Sequence, residues 1–151
     1  MNLLLIIVTL LAGVRPCMAQ DDLLALLSPS TWVQITEQNE EWVVYHPCFA
    51  GVRTVSISTT DKGTWRLVAF YGQDADEYEI LGAAITREAE ALTLRNTYSK
   101  EVKQVFFVVD PQDERFSTWR GLFYDNARFV RSEHVRELPQ TYEEDGDCGE
   151  P

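Results

Sequence analysis

The chain has 151 residues, 45% hydrophobic and 11% aromatic, the composition of a foldable domain and not of a disordered segment. Its 13 Lys and Arg stand against 24 Asp and Glu, a formal net charge of −11. That balance excludes a nucleic-acid binder, which needs a basic face to neutralise phosphates, and electrostatic docking on an anionic membrane.

Residues 1–19 read as a secretory signal peptide. Leu3 to Ala12 is apolar apart from Thr9, and Gly13 and the helix-breaking Pro16 follow. This run is too short to span a bilayer but has the length of a signal core. Cys17 and Ala19 occupy the −3 and −1 positions of a cleavage after Ala19. The alternative is an uncleaved anchor, since no Lys or Arg precedes the apolar run. Cleavage leaves 132 residues and, by removing Arg15, takes the formal charge to −12. The product is expected in the periplasm or outside the cell, with no stable insertion in a membrane. Cleavage also removes Cys17, leaving Cys48 and Cys148. An even pair in an oxidising compartment reads as a disulfide, with two free thiols as the alternative. The bridge would contribute about 4.7 kcal/mol through loop entropy.

After the signal, Asp21 or Asp22 caps a short helix over Leu23–Leu27, ended by Ser28-Pro29. Beyond Thr31 the one helical alternative is a weak period over Arg87–Leu94. What repeats is a short β-rich run and a polar turn. The runs are Thr31–Glu37, Glu41–His46, Val52–Thr59, Thr64–Tyr71, Glu77–Ile85, Ala89–Thr97, Val102–Asp110, Arg115–Tyr124 and Ala127–Val135. Turns fall at Gln38-Asn39, Asp61-Lys62-Gly63, Gly72-Gln73-Asp74, Asp110 to Asp113 and Asp125-Asn126. Alternation sets Trp65, Leu67, Ala69 and Tyr71 on one face, and Val105, Phe107 and Val109 on another. Tyr78 and Ile80 alternate with Glu77 and Glu79, giving one wet face. The fold class is all-β: an antiparallel meander of eight or nine strands, closing into a small barrel in preference to an open sandwich, with a short N-terminal helix. The barrel domain occupies 20–136. The tail, 137–151, carries six acids and no base, half of the mature net charge, and reads as a solvated extension.

Ser30-Thr31-Trp32-Val33, a Trp opening the first strand after a short helix, resembles the start of the lipocalin-like group of calycin barrels. In that family a Gly-x-Trp begins the first strand; Ser30 stands here in place of the Gly. The resemblance implies a cation near the last strand packed across Trp32, supplied by Arg128, Arg131 or Arg136, with Arg131 the structural choice. It also implies that Cys148 ties the tail back to the barrel.

Motifs for chemistry are missing. The two histidines, His46 and His134, lie far apart, and there is no Cys/His cluster, Gly-x-Ser-x-Gly elbow, His-Glu-x-x-His or phosphate-cradling loop. The acid pairs Asp74/Asp76, Glu77/Glu79 and Glu143/Glu144 sit in charge-rich stretches and read as solvated. No catalytic residue, metal or cofactor is expected, and the protein reads as non-enzymatic.

The aromatic residues carry the functional reading. A small barrel can hold one ligand, and Trp65, Tyr78, Phe107 and Trp119 sit on candidate inward faces, with Arg120 available for a ligand carboxylate. The reading is an exported binder of an apolar or amphipathic small molecule, which requires a continuous interior cavity. A filled interior favours the alternative, a protein-interaction module such as an inhibitor or accessory factor.

Overall fold

The computed structural model describes residues 20–27, 31–86, 89–123 and 126–143. The proposed signal peptide and Cys148 lie outside the described residues. The chain forms a helix, α1 (Gln20–Leu27), then strands β1 (Thr31–Gln38), β2 (Glu41–His46), β3 (Thr54–Thr59), β4 (Trp65–Phe70) and β5 (Ala75–Ile85). These are followed by β6 (Glu90–Asn96), β7 (Val102–Val109), β8 (Phe116–Arg120) and β9 (Ala127–Arg131). A short 3₁₀ helix (Ser132–Glu137) and β10 (Gln140–Tyr142) complete the fold.

Each of the nine β-rich runs contains a strand. The wall is an eight-stranded antiparallel barrel of β1 and β3 to β9, closed where Trp32 to Ile35 of β1 pair with Arg131 to Arg128 of β9. Strand β2 is an excursion from this wall. The first part of β1 pairs with β3, Trp32 opposite Val55, whereas Thr36–Gln38 pair with Glu41–Val43 of β2. A register shift between Ile80 and Gly82 interrupts the β5–β6 pairing. Such bulges sharpen strand bending, as a small closed barrel requires.

Five features differ from the sequence expectation. The helical alternative over Arg87–Leu94 gives way to β6, because Leu92 and Leu94 alternate inward with period two. Strand β8 stops at Arg120, where Gly121 adopts φ +83°, and β9 stops at Arg131, where the 3₁₀ helix begins. The acidic tail is structured at its start: Gln140–Tyr142 add to β2 as a parallel strand. The helix begins at Gln20, so Asp21 and Asp22 lie in its first turn, where their charge suits the helix dipole, and not at the cap.

Alternation divides the apolar residues into two cores. The inward set, including Trp32, Ile57, Leu67, Leu92, Val105, Phe107, Trp119 and Phe129, is fully buried. Eight strands enclose a space that side chains of this size fill. A second, smaller core lies outside the wall, where Ile35, Val44 and Val130 pack with Trp42, Phe116, Val135 and Leu138. It is formed because β2 and the 3₁₀ helix fold back over the outward faces of β1 and β9. Arg128 is inserted there, 5.0 Å from the Trp42 ring and 5.1 Å from that of Phe116, and is paired with Asp110 at 2.7 Å.

The two ends of the barrel differ. At one, α1 is a plug: Leu23, Leu24 and Leu27 enter the main core, and Trp65 Nε1 donates to Asp21 Oδ1 at 3.0 Å. Near this end Arg131, directly opposite Trp32 in the pairing, places its guanidinium carbon 4.9 Å from the indole centre. The other end carries no helix among the described residues.

Candidate functional site: the mouth of the barrel

The unplugged end is built from alternate connections of an antiparallel wall. The β4–β5 turn is fixed by Tyr71 N–H donating to Asp74 O at 2.8 Å. In the β6–β7 turn, Asn96 Oδ1 accepts from the N–H groups of Tyr98 and Ser99 at 2.9 and 2.8 Å. The β8–β9 connection contributes Leu122 and Phe123, and Arg53 enters from the β2–β3 connection. The β2–β3 and β4–β5 connections touch backbone to backbone, Gly51 N–H donating to Gly72 O at 2.7 Å.

Together these segments wall a half-open cleft of about 1020 Å³. Its floor is aromatic. Phe123 stacks on Phe129 at 5.4 Å and meets the edge of Tyr71 at 5.3 Å. Phe129 in turn contacts Trp119, so a chain of ring contacts runs from the packed interior to the mouth. Asp74, Asp76, Asn96, Ser99 and Glu101 add polar groups to the lining, and the Asp76 carboxylate is held in place by two phenols. Asp76 Oδ2 accepts from both Tyr71 Oη and Tyr78 Oη, each at 3.0 Å. Burial, followed by the hydrogen bonds with Tyr78 and Asp76, pushes the Tyr71 phenol far above its ordinary range. Tyr71 is therefore a fixed donor at neutral pH and no candidate base.

Two cations complete the lining. Arg53 lies 6.0 Å from the Phe123 ring centre, and Lys103 Nζ lies 4.6 Å from that of Tyr78. Neither is ion-paired among the described residues. A smaller cavity of about 350 Å³ adjoins the cleft and shares Arg53 and Tyr71 with it.

Of the five residues expected to line a ligand site, the structure places only Tyr78 in the cleft. Phe107 and Trp119 are opposite each other in the pairing, stacked at 5.2 Å and wholly buried, so they are core. Trp65 belongs to the plugged end with Asp21. Arg120 faces outward, its guanidinium 5.4 Å from the Phe106 ring, beside a shallow depression on the outer wall. The expected continuous interior cavity is thereby corrected: large inward side chains occupy the space.

The residues that sequence reasoning passed over are Arg53, Tyr71, Asp76, Lys103 and Phe123. A usable signal existed. Tyr71, Tyr98 and Phe123 each sit beside a turn, and alternate turns of a meander share one end of a barrel.

Compared with known proteins, the chain matches no family model, no curated sequence and no solved structure. No group of three or more His, Cys, Asp or Glu suited to a metal exists among the described residues. No described helix is long and apolar enough to cross a membrane.

Proposed function

We propose that this chain is an exported, calycin-like barrel that binds a small amphipathic molecule at its mouth and does no chemistry on it. The observation that carries the reading is the cleft of about 1020 Å³ at the one end that α1 does not plug. Its size is that of a small-molecule site, and its lining is amphipathic, the apolar faces of Tyr71, Tyr78, Leu122 and Phe123 alternating with charged and polar side chains such as Arg53, Asp76, Asn96 and Lys103. The cation over Trp32 supports the calycin likeness, because Arg131 stands at the strand end where that family carries it.

Export follows from the signal-like residues 1–19, and a Cys48–Cys148 disulfide is part of the same proposal. In its support, Cys48 N–H donates to Glu143 Oε2 at 2.9 Å, and its sulfur lies 3.8 Å from Glu143 O. The tail is thus led past Cys48 five residues before Cys148. Native mass spectrometry of the secreted protein tests all three parts together. The expected species begins at Gln20, is two hydrogens lighter than the dithiol and retains a ligand. An intact Met1 end, or a full set of alkylatable thiols, refutes the corresponding part.

Binding at the mouth is tested by Tyr and Trp fluorescence titration with an amphipathic probe such as anilinonaphthalene sulfonate. Phe123→Asp, which adds an acid to the floor, should abolish the response, whereas Arg120→Gln on the outer wall should leave it intact. A response unchanged by Phe123→Asp would place the site elsewhere. Two observations favour the protein-interaction reading: the interior is filled, and Tyr98 and Phe49, on connections at the mouth end, are 95% and 76% exposed. Aromatic residues displayed in this way are typical anchors of protein interfaces.

A further inference from the structure

Among the described residues, Lys62, Lys100, Arg120 and Arg136 lack a carboxylate partner just as Arg53 and Lys103 do, so what distinguishes the latter two is their place in the cleft lining. Arg66, Arg95, Arg115 and Arg128 all have carboxylate partners on the outside of the wall. Arg53 and Lys103, the two cations of the cleft, rest on aromatic faces instead.

This arrangement discriminates between ligand charges. A ligand cation would seek the faces of Phe123 and Tyr78, but Arg53 and Lys103 already cover them. Asp76 is engaged by two phenol O–H groups, which offset its charge. The remaining acids, Asp74 and Glu101, stand on exposed turn positions at the rim. An anion, by contrast, meets two cations with unspent donors, and charge-assisted hydrogen bonds are the strong ones.

We infer that the ligand is an amphipathic anion whose carboxylate or phosphate head is held by Arg53 and Lys103, with an alkyl or aromatic body against Phe123, Leu122 and Tyr78. The inference rests on the mouth-binding reading and assigns its ligand class. It needs no movement of the wall, only rotation of two long side chains off the rings they cover. The rim acids oppose the same anion, so their removal strengthens binding.

Calorimetric titration of the full mature protein with octanoate, octyl phosphate, octanol and octyltrimethylammonium is the test. At least one anion should bind about tenfold tighter than octanol, with the ammonium weakest. Whichever of octanoate and octyl phosphate binds tighter identifies the head group. Arg53→Gln and Lys103→Gln should each remove most of that preference while leaving octanol unchanged, and Asp74→Asn should enlarge it. Equal binding of all four, or preference for the ammonium, overturns the anion assignment and leaves the mouth site standing. Binding of none overturns the mouth site and the assignment with it. Should either variant fail to fold, the ranking with unaltered protein decides alone.

Discussion

Two residues show how much one side chain decides in this molecule. Asp113 is held by Arg115, which donates to its carboxylate through Nε and a terminal nitrogen, the shortest contact being 2.6 Å. These bonds lower the Asp113 carboxyl to about 2. Asp110 is lowered as well, chiefly by the N–H of Gln112 and then by Arg128, and Glu137 by His134 and then Arg115. A depressed folded value means the native state holds its charge more readily than the unfolded chain. The stabilisation is complete above the ordinary carboxylate range, near about pH 4, and is lost as pH falls through the folded value. Asp113→Asn should therefore flatten the loss of stability between those limits, read as urea midpoints at a series of acid pH values. An unaltered slope would show that Asp113 does not carry it. Trp32 acts through burial instead. Trp32→Ala should cost roughly 3–5 kcal/mol in denaturant melts, as for other large-to-small core changes. None of the cleft residues should be affected in charge or contact by it, so a folded Trp32→Phe variant should keep ligand binding.

At the level of elements, the strands were legible and the end of the barrel was not. Leu67 and Ala69, or Val105 and Phe107, announce a strand through period two, and Gly72-Gln73-Asp74 announces a turn. These are local signals, which a sequence carries in full. Which end is open depends on where α1 lands, and that is settled by Leu23, Leu24 and Leu27 meeting residues far along the chain. Strand β10 was hidden for a related reason: three residues, Gln140–Tyr142, form a strand only because β2 offers a free edge. There the His46 and Tyr142 rings stack at 4.7 Å, a contact between positions nearly a hundred residues apart. The junction of the β2–β3 and β4–β5 connections is similarly long-range. Gly72 has φ +109°, and a Cβ on it would stand 2.8 Å from Gly51 O. Gly72→Ala should destabilise by about 2 kcal/mol or more and should widen the mouth between these connections. Hydrogen exchange offers the check: faster exchange confined to Gly51 and its neighbours supports this, whereas unchanged exchange and melting contradict it.

For the molecule as a whole, shape and charge are distributed separately. The interior is filled, the mouth is open, and most acids lie on turns, outer faces and the tail, with Asp74, Asp76 and Glu101 sharing the cleft with its two cations. The aromatic count signalled a ligand site but located it too deep, because inward alternation alone does not separate a filled layer from an exposed rim. Closure of the wall has a kinetic consequence. Every pairing from β3 to β9 joins neighbours in sequence, but β1 and β9 meet across almost the whole domain, Trp32 opposite Arg131. Pairing at such separation carries a large entropy cost and is expected late on the folding route. Arg131→Ala, at the seam, should therefore accelerate unfolding and leave the refolding rate nearly unchanged in stopped-flow chevrons. Slower refolding would instead place the seam in the folding nucleus. With a late seam, the sheet spends its last folding step as an open ribbon with two bare edges. Its yield should then fall with concentration, as ribbons of neighbouring chains compete for the pairing that β1 and β9 make within one.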